Sequence, residues 1–119
     1  MSSDLGVVVV SHNSAADLPV CLDALASATA VERIVVVDNV SEDDSCAVAR
    51  SFDDPRIEVL EEPVNSGFAG GCNRGFQELR SGSRVLAFLN PDVTVGRDCL
   101  RRCVDALDGD SELGAVAPL

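Results

Sequence analysis

Runs of apolar residues alternate with amphipathic segments along the chain, and short polar turns separate them. The apolar runs predict β-strands at residues 5–10, 34–37, 57–60 and 85–89, with a fifth strand beginning at residues 113–117. Helical spacing predicts four helices between them. The first starts near Ser14 or Asp17, the second runs from an N-cap at Ser41 to about residue 51, and the others cover about residues 68–79 and 97–107.

This β-α alternation with short connections predicts one domain, residues 1–119, with a three-layer α/β/α architecture. The sheet should be mostly parallel and doubly wound, with right-handed crossovers. The predicted fifth strand has nothing after it to cover it, so we expect this chain to be the first part of a larger architecture. An exposed sheet edge also predicts a homodimer or swapped assembly through the C-terminal region.

Composition narrows the function classes. The net charge of −11, with nine arginines and no lysine, argues against binding of nucleic acid, which requires a basic face. The missing lysine excludes a P-loop and a Schiff base to pyridoxal phosphate. No apolar run approaches the ~18 residues of a membrane span, and no signal peptide is evident, so we expect a cytoplasmic protein. The five cysteines include no C-x-x-C pair and are expected to be reduced, small core residues.

Candidate chemistry lies at the carboxyl ends of the predicted strands, where open α/β sheets bind their ligands. Polar residues follow strand after strand there: Ser11, His12 and Asn13; Asp38 and Asn39; Asn65; Asn90 and Asp92. His12 could pack over a base or lie near phosphates, although a hydrogen-bonded structural role is slightly favoured. Asp38 could accept hydrogen bonds from a base or ribose, or could cap the next turn.

A glycine-rich segment leads into the third predicted helix. Asn65 and Gly67 precede it, and Gly70 and Gly71 lie in its first turn. Glycines allow a close approach of the backbone to a ligand, and a helix N-terminus favours anions. The alternative is that the glycines serve only tight packing of helix on sheet.

Asp92 is the candidate metal ligand. A carboxylate facing a diphosphate is repelled by ~4 kcal/mol per charge pair at 4 Å and an effective dielectric constant near 20. A divalent cation between the two groups reverses that sign, and Mg²⁺ commonly binds through one or two carboxylates plus substrate phosphates. Asn90 would then contact ribose or a metal-bound water. The alternative is an Asp-Pro turn at a strand end with no ligand.

Four ordered motifs resemble those of family 2 glycosyltransferases with the GT-A fold, especially rhamnosyltransferase-like members. They are VVVVSHNS at 7–14, VVVDN at 35–39 with Ser41 and Asp44, NSGFAGGCNRG at 65–75, and LNPDV at 89–93. The resemblance covers nearly the whole chain. It implies an α/β nucleotide-sugar transferase of which this sequence resembles the N-terminal, donor-binding half.

The resemblance also implies roles for individual residues. Asp38 matches the acid that reads the base, and Asp92 matches the metal-ligating acid of a D-x-D motif in which Asn90 replaces the first Asp. The residues expected to bind the nucleotide sugar are Ser11, His12, Asn13, Asp38, Asn39, Asn65, Gly67, Gly70, Gly71, Asn73, Asn90 and Asp92.

By the same resemblance, the enzyme would transfer sugar with inversion from a UDP- or dTDP-sugar, with Mg²⁺ or Mn²⁺ as cofactor. The general base is expected beyond Leu119, so no catalytic residue is identified within this chain. A membrane-associated acceptor or a partner subunit would place the protein at the inner face of a membrane. Two alternatives stay open: a non-catalytic nucleotide-binding module or split subunit, and a structural α/β domain that self-associates through its sheet edge.

Overall fold

The computed structural model describes residues 4–118. Within this range strands and helices alternate throughout. The strands are β1 (Leu5–Ser11), β2 (Val31–Asp38), β3 (Ile57–Glu61) and β4 (Val85–Leu89), and the helices are α1 (Leu18–Ser27), α2 (Ser45–Arg50), α3 (Gly67–Leu79) and α4 (Cys99–Asp108).

The sheet has the strand order β3-β2-β1-β4, and every neighbouring pair is parallel. The centre of β1 pairs on both sides, because Val8 lies opposite Val35 of β2 and Phe88 of β4. The mostly parallel α/β sheet expected from the sequence is confirmed.

Helices cover both faces of the sheet, which explains why β1 and β2 are nearly continuous valine runs. Val7 and Val9 of β1 pack with residues of α1, α2 and α4, whereas Val8 and Val10 pack on the opposite face, against α3. All four valines are buried. Full burial of a side chain of this size contributes about 1.5–3 kcal/mol, so each of these valines contributes substantially to the stability of the domain.

The prediction of a fifth strand at residues 113–117 is wrong. These residues form turns and irregular backbone, and none of them joins the sheet that the structure describes. An extended apolar segment becomes a strand only through a ladder of hydrogen bonds to a neighbouring strand, and this segment forms none with the open outer edge of β4. Segment 113–117 instead borders an apolar gap of about 890 Å³ beside β4.

The predicted N-cap at Ser41 is also wrong, because α2 begins at Ser45. The Ser41 hydroxyl donates to Asp38 Oδ1 at 2.6 Å, and the Ser41 amide donates to Asp38 Oδ2 at 2.9 Å. Ser41 therefore closes a turn back onto β2 and is unavailable as a helix cap. Asp43 accepts hydrogen bonds from the amide and hydroxyl of Ser45 at the actual helix start.

The other boundaries shift by smaller amounts. Helix α1 starts at Leu18, after a turn in which the Ser14 carbonyl accepts from the amides of Asp17 and Leu18. Strand β2 starts three residues before the predicted run, and α4 begins at Cys99. No helix within the described range combines the length and apolar character needed to cross a bilayer.

Two glycines let α3 approach β1 closely. A Cβ atom on Gly75 would lie 2.6 Å from Val8 Cγ2, and one on Gly71 would lie 2.6 Å from Val10 Cγ1. Both distances are far below van der Waals contact, so the helix backbone rests directly on the valines of the central strand. The packing explanation for the glycine-rich segment therefore holds at Gly71 and Gly75.

Replacing Gly75 by alanine tests this contact. Alanine normally favours a helix over glycine by about 1 kcal/mol. Overpacking of a buried site costs about 1–3 kcal/mol. The overlap with Val8 is severe, so we expect the upper end of this cost and a net loss of about 2 kcal/mol in the free energy of unfolding for Gly75→Ala. Gly96→Ala is the matched control, because a Cβ there meets no atom within 4 Å. Chemical denaturation of both variants measures the difference, and equal stabilities would contradict the close-packing explanation.

Val40 provides a second stability test. This exposed, β-branched residue has φ +56°, a left-handed conformation that costs most side chains about 1–2 kcal/mol. Asparagine tolerates it better, so Val40→Asn should raise the free energy of unfolding by about 1 kcal/mol. Val64→Asn changes an exposed valine that is not among the positive-φ residues, and its effect should stay within about 0.5 kcal/mol. Similar effects of the two substitutions would refute strain at Val40.

Candidate functional site

The carboxyl ends of β1, β2 and β4 and the start of α3 enclose a cleft of about 320 Å³. Because all the strands run in parallel, their ends meet at one edge of the sheet, where the helix N-termini also lie. The cleft is lined by Val10, His12, Ser14, Asn39, Asn65, Gly67, Phe68, Asn90 and Pro91. Its lining contains no arginine, aspartate or glutamate, so His12 is its one basic side chain.

The structure divides the residues predicted to bind the ligand into two groups. His12, Asn39, Asn65, Gly67 and Asn90 line the cleft, whereas Ser11, Asn13, Asp38, Gly70, Gly71, Asn73 and Asp92 do not. Ser14, Phe68 and Pro91 line it without having been predicted. The exposure of Phe68, 47%, is high for a phenylalanine, but the sequence alone identifies it only as a residue of α3.

Strand alternation explains part of this division. Val10 of β1 and Val37 of β2 face α3, so Asn39, two residues after Val37, turns to the α3 side. Ser11 and Asp38 have the opposite parity and face the side of α1 and α2. The predicted residues at each strand end thus point to different faces of the sheet.

Asn13 joins the loops that follow β1 and β2. Its amide donates to Ser41 Oγ at 2.8 Å, and its Oδ1 accepts the Glu42 amide at 2.7 Å. Asn13 has φ +50°, a conformation that asparagine tolerates. The Ser14 amide donates to Ser45 Oγ at 2.8 Å nearby. Through these hydrogen bonds Asn13 holds together the two loops that form one wall of the cleft.

Asp38 is buried and engaged within the protein. Both of its oxygens accept hydrogen bonds from Ser41, at 2.6 and 2.9 Å. Burial, followed by a hydrogen bond to Asp38 and the charge of Asp38, raises the pKa of the Cys46 thiol to about 12. In this arrangement Asp38 closes the turn after β2, which was one of the two roles considered for it.

Asn39 is a junction between the walls of the cleft. Its amide donates to the Ser11 carbonyl, its carbonyl contacts His12 Nδ1 at 2.7 Å, and its side-chain Nδ2 donates to the Gly67 carbonyl at 2.8 Å. Its exposure is 2%, and its Oδ1 has no protein partner within residues 4–118. One buried residue thus fixes β1, β2 and the start of α3 relative to one another.

The first turn of α3 presents backbone N–H groups to the cleft. Gly67 has φ +76°, and its own amide donates to Asn65 Oδ1 at 2.9 Å. The side chain of Ser66, the N-cap residue of α3, accepts no hydrogen bond from the N–H groups of the first turn. The free N–H groups of a first turn and the helix dipole favour an anion at this position.

Asp92 lies in the turn after β4, directly after the cleft-lining Pro91. Burial, followed by the charge of Asp92, raises the pKa of the Cys21 thiol on α1, so Asp92 lies on the α1 side of this turn. Its side chain is exposed, and no hydrogen bond or ion pair engages it among residues 4–118. No group of three or more His, Cys, Asp or Glu residues in that range could hold a metal ion. A lone free carboxylate fits a Mg²⁺ or Mn²⁺ ion that takes its other oxygens from ligand phosphates and water, so the donor set suits a cation that arrives with its ligand.

Comparison with known proteins places this geometry in context. The profile for "Glycosyl transferase family 2" matches residues 6–118. The chain is 34% identical over 106 residues to the succinoglycan biosynthesis protein ExoO of Rhizobium meliloti, covering 88% of this chain and 30% of that protein. It is 30% identical over 110 residues to the glycosyltransferase AglE of Haloferax volcanii, covering 88% of this chain and 36% of that protein. The chain thus spans about a third of the length of these relatives.

The fold is similar to that of the mannosyltransferase PcManGT from Pyrobaculum calidifontis, solved in complex with GDP-Man and Mn²⁺. The TM-score is 0.87 at 23% identity, over 98% of this chain and 35% of that one. The GT-A fold inferred from the motifs is confirmed. With a profile match over almost its entire length, this chain belongs to glycosyl transferase family 2.

Proposed function

We propose that this chain is the donor-binding part of a glycosyltransferase and that it holds a nucleoside diphosphate sugar in the cleft at the strand ends. The observation that carries the proposal is the pairing of two features at that edge: an α3 N-terminus that the Ser66 side chain does not cap, and the free carboxylate of Asp92. Each feature suits one part of a metal diphosphate. The PcManGT complex with GDP-Man and Mn²⁺ supports the same ligand class.

The diphosphate would lie between the start of α3 and Asp92. Backbone N–H groups near Gly67 would donate to phosphate oxygens, and Asn90 would contact ribose or a metal-bound water. Asp92 would be the one carboxylate of the chain on the metal, which is Mg²⁺ or Mn²⁺. The cation neutralises charge on the departing diphosphate, a contribution that matters in a chain of net charge −11.

The donor is proposed to be a UDP- or dTDP-sugar, from the resemblance of the motifs to rhamnosyltransferase-like members of the family. Asp38 is proposed to read the base, with Ser11, Asn13, Gly70, Gly71 and Asn73 close to the ligand. Because Ser41 donates to both Asp38 oxygens, base reading at Asp38 requires at least one of these oxygens to accept a second hydrogen bond. A carboxylate has the lone pairs for this.

The transfer is proposed to be inverting. The general base that deprotonates the acceptor is expected from polypeptide beyond this sequence, since the relatives are about three times as long. The acceptor is proposed to be linked to a membrane, and the protein to lie at the inner face of that membrane.

Isothermal titration with UDP, dTDP and GDP, each with Mn²⁺ or with EDTA, separates this proposal from its alternatives. We expect weak, metal-dependent binding and no sugar transfer by the chain alone. Binding without transfer even in a longer chain would indicate a nucleotide-binding module. No binding of any nucleotide would indicate a structural α/β domain.

Asp92→Ala tests the metal ligand. With Mn²⁺ the variant should bind nucleotide at least about tenfold more weakly, equal to about 1.4 kcal/mol. With EDTA it should bind as well as the wild type or better, because a repulsive carboxylate has been removed. Asp105→Ala removes the same charge from an exposed position on α4 and should change neither affinity. An Asp92→Ala variant with unchanged Mn²⁺-dependent affinity would rule out this ligand.

Self-association through the C-terminal edge is also proposed. The outer edge of β4 has no strand partner within residues 4–118, and apolar residues such as Leu86, Phe88 and Leu113 line the gap beside it. We expect sedimentation to detect a dimer whose population rises with salt, because screening weakens repulsion between acidic chains. Phe88→Asp should abolish the dimer, whereas Val20→Asp, on exposed α1 surface, should preserve it. A monomer at all concentrations and salt levels would contradict the proposal.

A further inference from the structure

Helix α4 carries two cysteines on one face. Cys99 is the first residue of the helix and Cys103 lies four residues further on, and side chains with this spacing are neighbours on a helix surface. Both thiols are free and half-buried, and both border the gap of about 890 Å³ beside β4. Neither residue lines the cleft at the strand ends, so this pair is separate from the proposed nucleotide site.

The two thiols interact with each other. Burial, followed by the charge of Cys99 and a hydrogen bond to Cys99, raises the pKa of the Cys103 thiol. Because hydrogen-bonded thiols have their sulfur atoms close together, α4 holds both sulfurs within reach of one common ligand atom.

Helix geometry makes a direct disulfide between these cysteines unfavourable. Residues at this spacing have Cβ atoms about 5–6 Å apart, whereas a disulfide requires about 3.5–4.5 Å. Joining the sulfurs directly would therefore distort the start of α4. An atom bound between the two sulfurs adds the missing length, so the pair is better suited to a bridging ligand than to oxidation.

Thiolate chemistry and the number of ligands narrow the choice of bridging atom. Thiolates prefer soft ions, and Cu(I), Zn²⁺ and iron–sulfur clusters are the common ones in proteins. Structural Zn²⁺ sites and the clusters need four protein ligands, and positions 4–118 contain no group of three or more His, Cys, Asp or Glu residues suited to a metal. Two thiolates in a nearly linear arrangement are a complete ligand set for Cu(I).

We propose that Cys99 and Cys103 form a two-coordinate binding site for a soft monovalent cation of the Cu(I) type. Two S–H bonds break and two Cu–S bonds form, the two protons pass to solvent, and neither sulfur nor copper changes its oxidation state. The thiolate is the form that binds metal. Because the raised pKa of Cys103 keeps its thiol protonated near neutral pH, the affinity for Cu(I) should increase with pH.

Anaerobic competition with the Cu(I) chelator bathocuproine disulfonate measures the affinity of this site. We expect each wild-type chain to retain one Cu(I), with the near-ultraviolet absorption of a Cu(I)–thiolate bond. Linking two binding groups raises affinity by about 10²–10⁴, so Cys103→Ser should bind Cu(I) about a hundredfold more weakly or worse. Cys99→Ser should give the same loss, and far-ultraviolet circular dichroism checks that both variants are folded.

Two controls separate a chelating pair from the number of thiols. Arg101→Cys combined with Cys103→Ser keeps five cysteines but spaces the α4 thiols two residues apart, where they do not face each other. This variant should bind as weakly as Cys103→Ser, although its more acidic chain would by itself favour a cation. Cys72→Ser removes a half-buried α3 thiol whose pKa is raised by burial alone, and it should bind Cu(I) as the wild type does.

Retention of Cu(I) by the wild type and by Cys72→Ser, with the loss seen in all three α4 variants, supports the site. A wild type that retains no Cu(I) overturns it, as does wild-type affinity in any of the α4 variants. A loss caused by Cys72→Ser also overturns it, because the ion would then be bound elsewhere. None of these outcomes depends on nucleotide binding, so the site and the proposed function are tested separately.

Discussion

The direct contact of α3 with β1 determines where the cleft can form. Gly71 and Gly75 leave Val10 and Val8 in contact with helix backbone, so the axis of α3 lies closer to the sheet than side chains would allow. The N-terminus of α3 consequently lies above the strand ends, within hydrogen-bonding distance of Asn39. Gly71, which the sequence suggested as a ligand-binding residue, thus acts mainly by positioning α3. The N-terminus of this helix is the group that could bind an anion.

Much of this could be predicted because local and tertiary requirements coincide. A strand buried on both faces must be apolar throughout, and the valine runs of β1 and β2 satisfy that condition without ambiguity. Residues 113–117 have the same apolar character, but a strand also requires a ladder of hydrogen bonds, and this segment forms none with the open outer edge of β4. Ser41 illustrates a similar limit. Its hydroxyl could either cap a helix or hydrogen-bond to a nearby side chain, and in the structure it donates to Asp38, three residues earlier.

The site was predictable as a location but not as a set of side chains. Parallel strands ending at one edge bring the loops after β1, β2 and β4 together whatever their sequences are. Which residues face the cleft depends on which face of the sheet the last residue of each strand points to. For β1 and β2 the sequence does not determine this, because both faces of these strands are apolar. One position separates Asn39, which lines the cleft, from Asp38, which closes a turn on the other face.

Charge adds a constraint that links the cleft to the whole chain. To bind the proposed nucleoside diphosphate, a chain of net charge −11 has to attract an anion without any arginine in the cleft lining. The available positive potential comes from backbone N–H groups at the start of α3 and from a cation on Asp92, and neither requires a basic side chain. Nucleotide binding should therefore depend on divalent metal more steeply here than in a cleft with its own arginines, because the metal would supply most of the positive charge that the ligand meets.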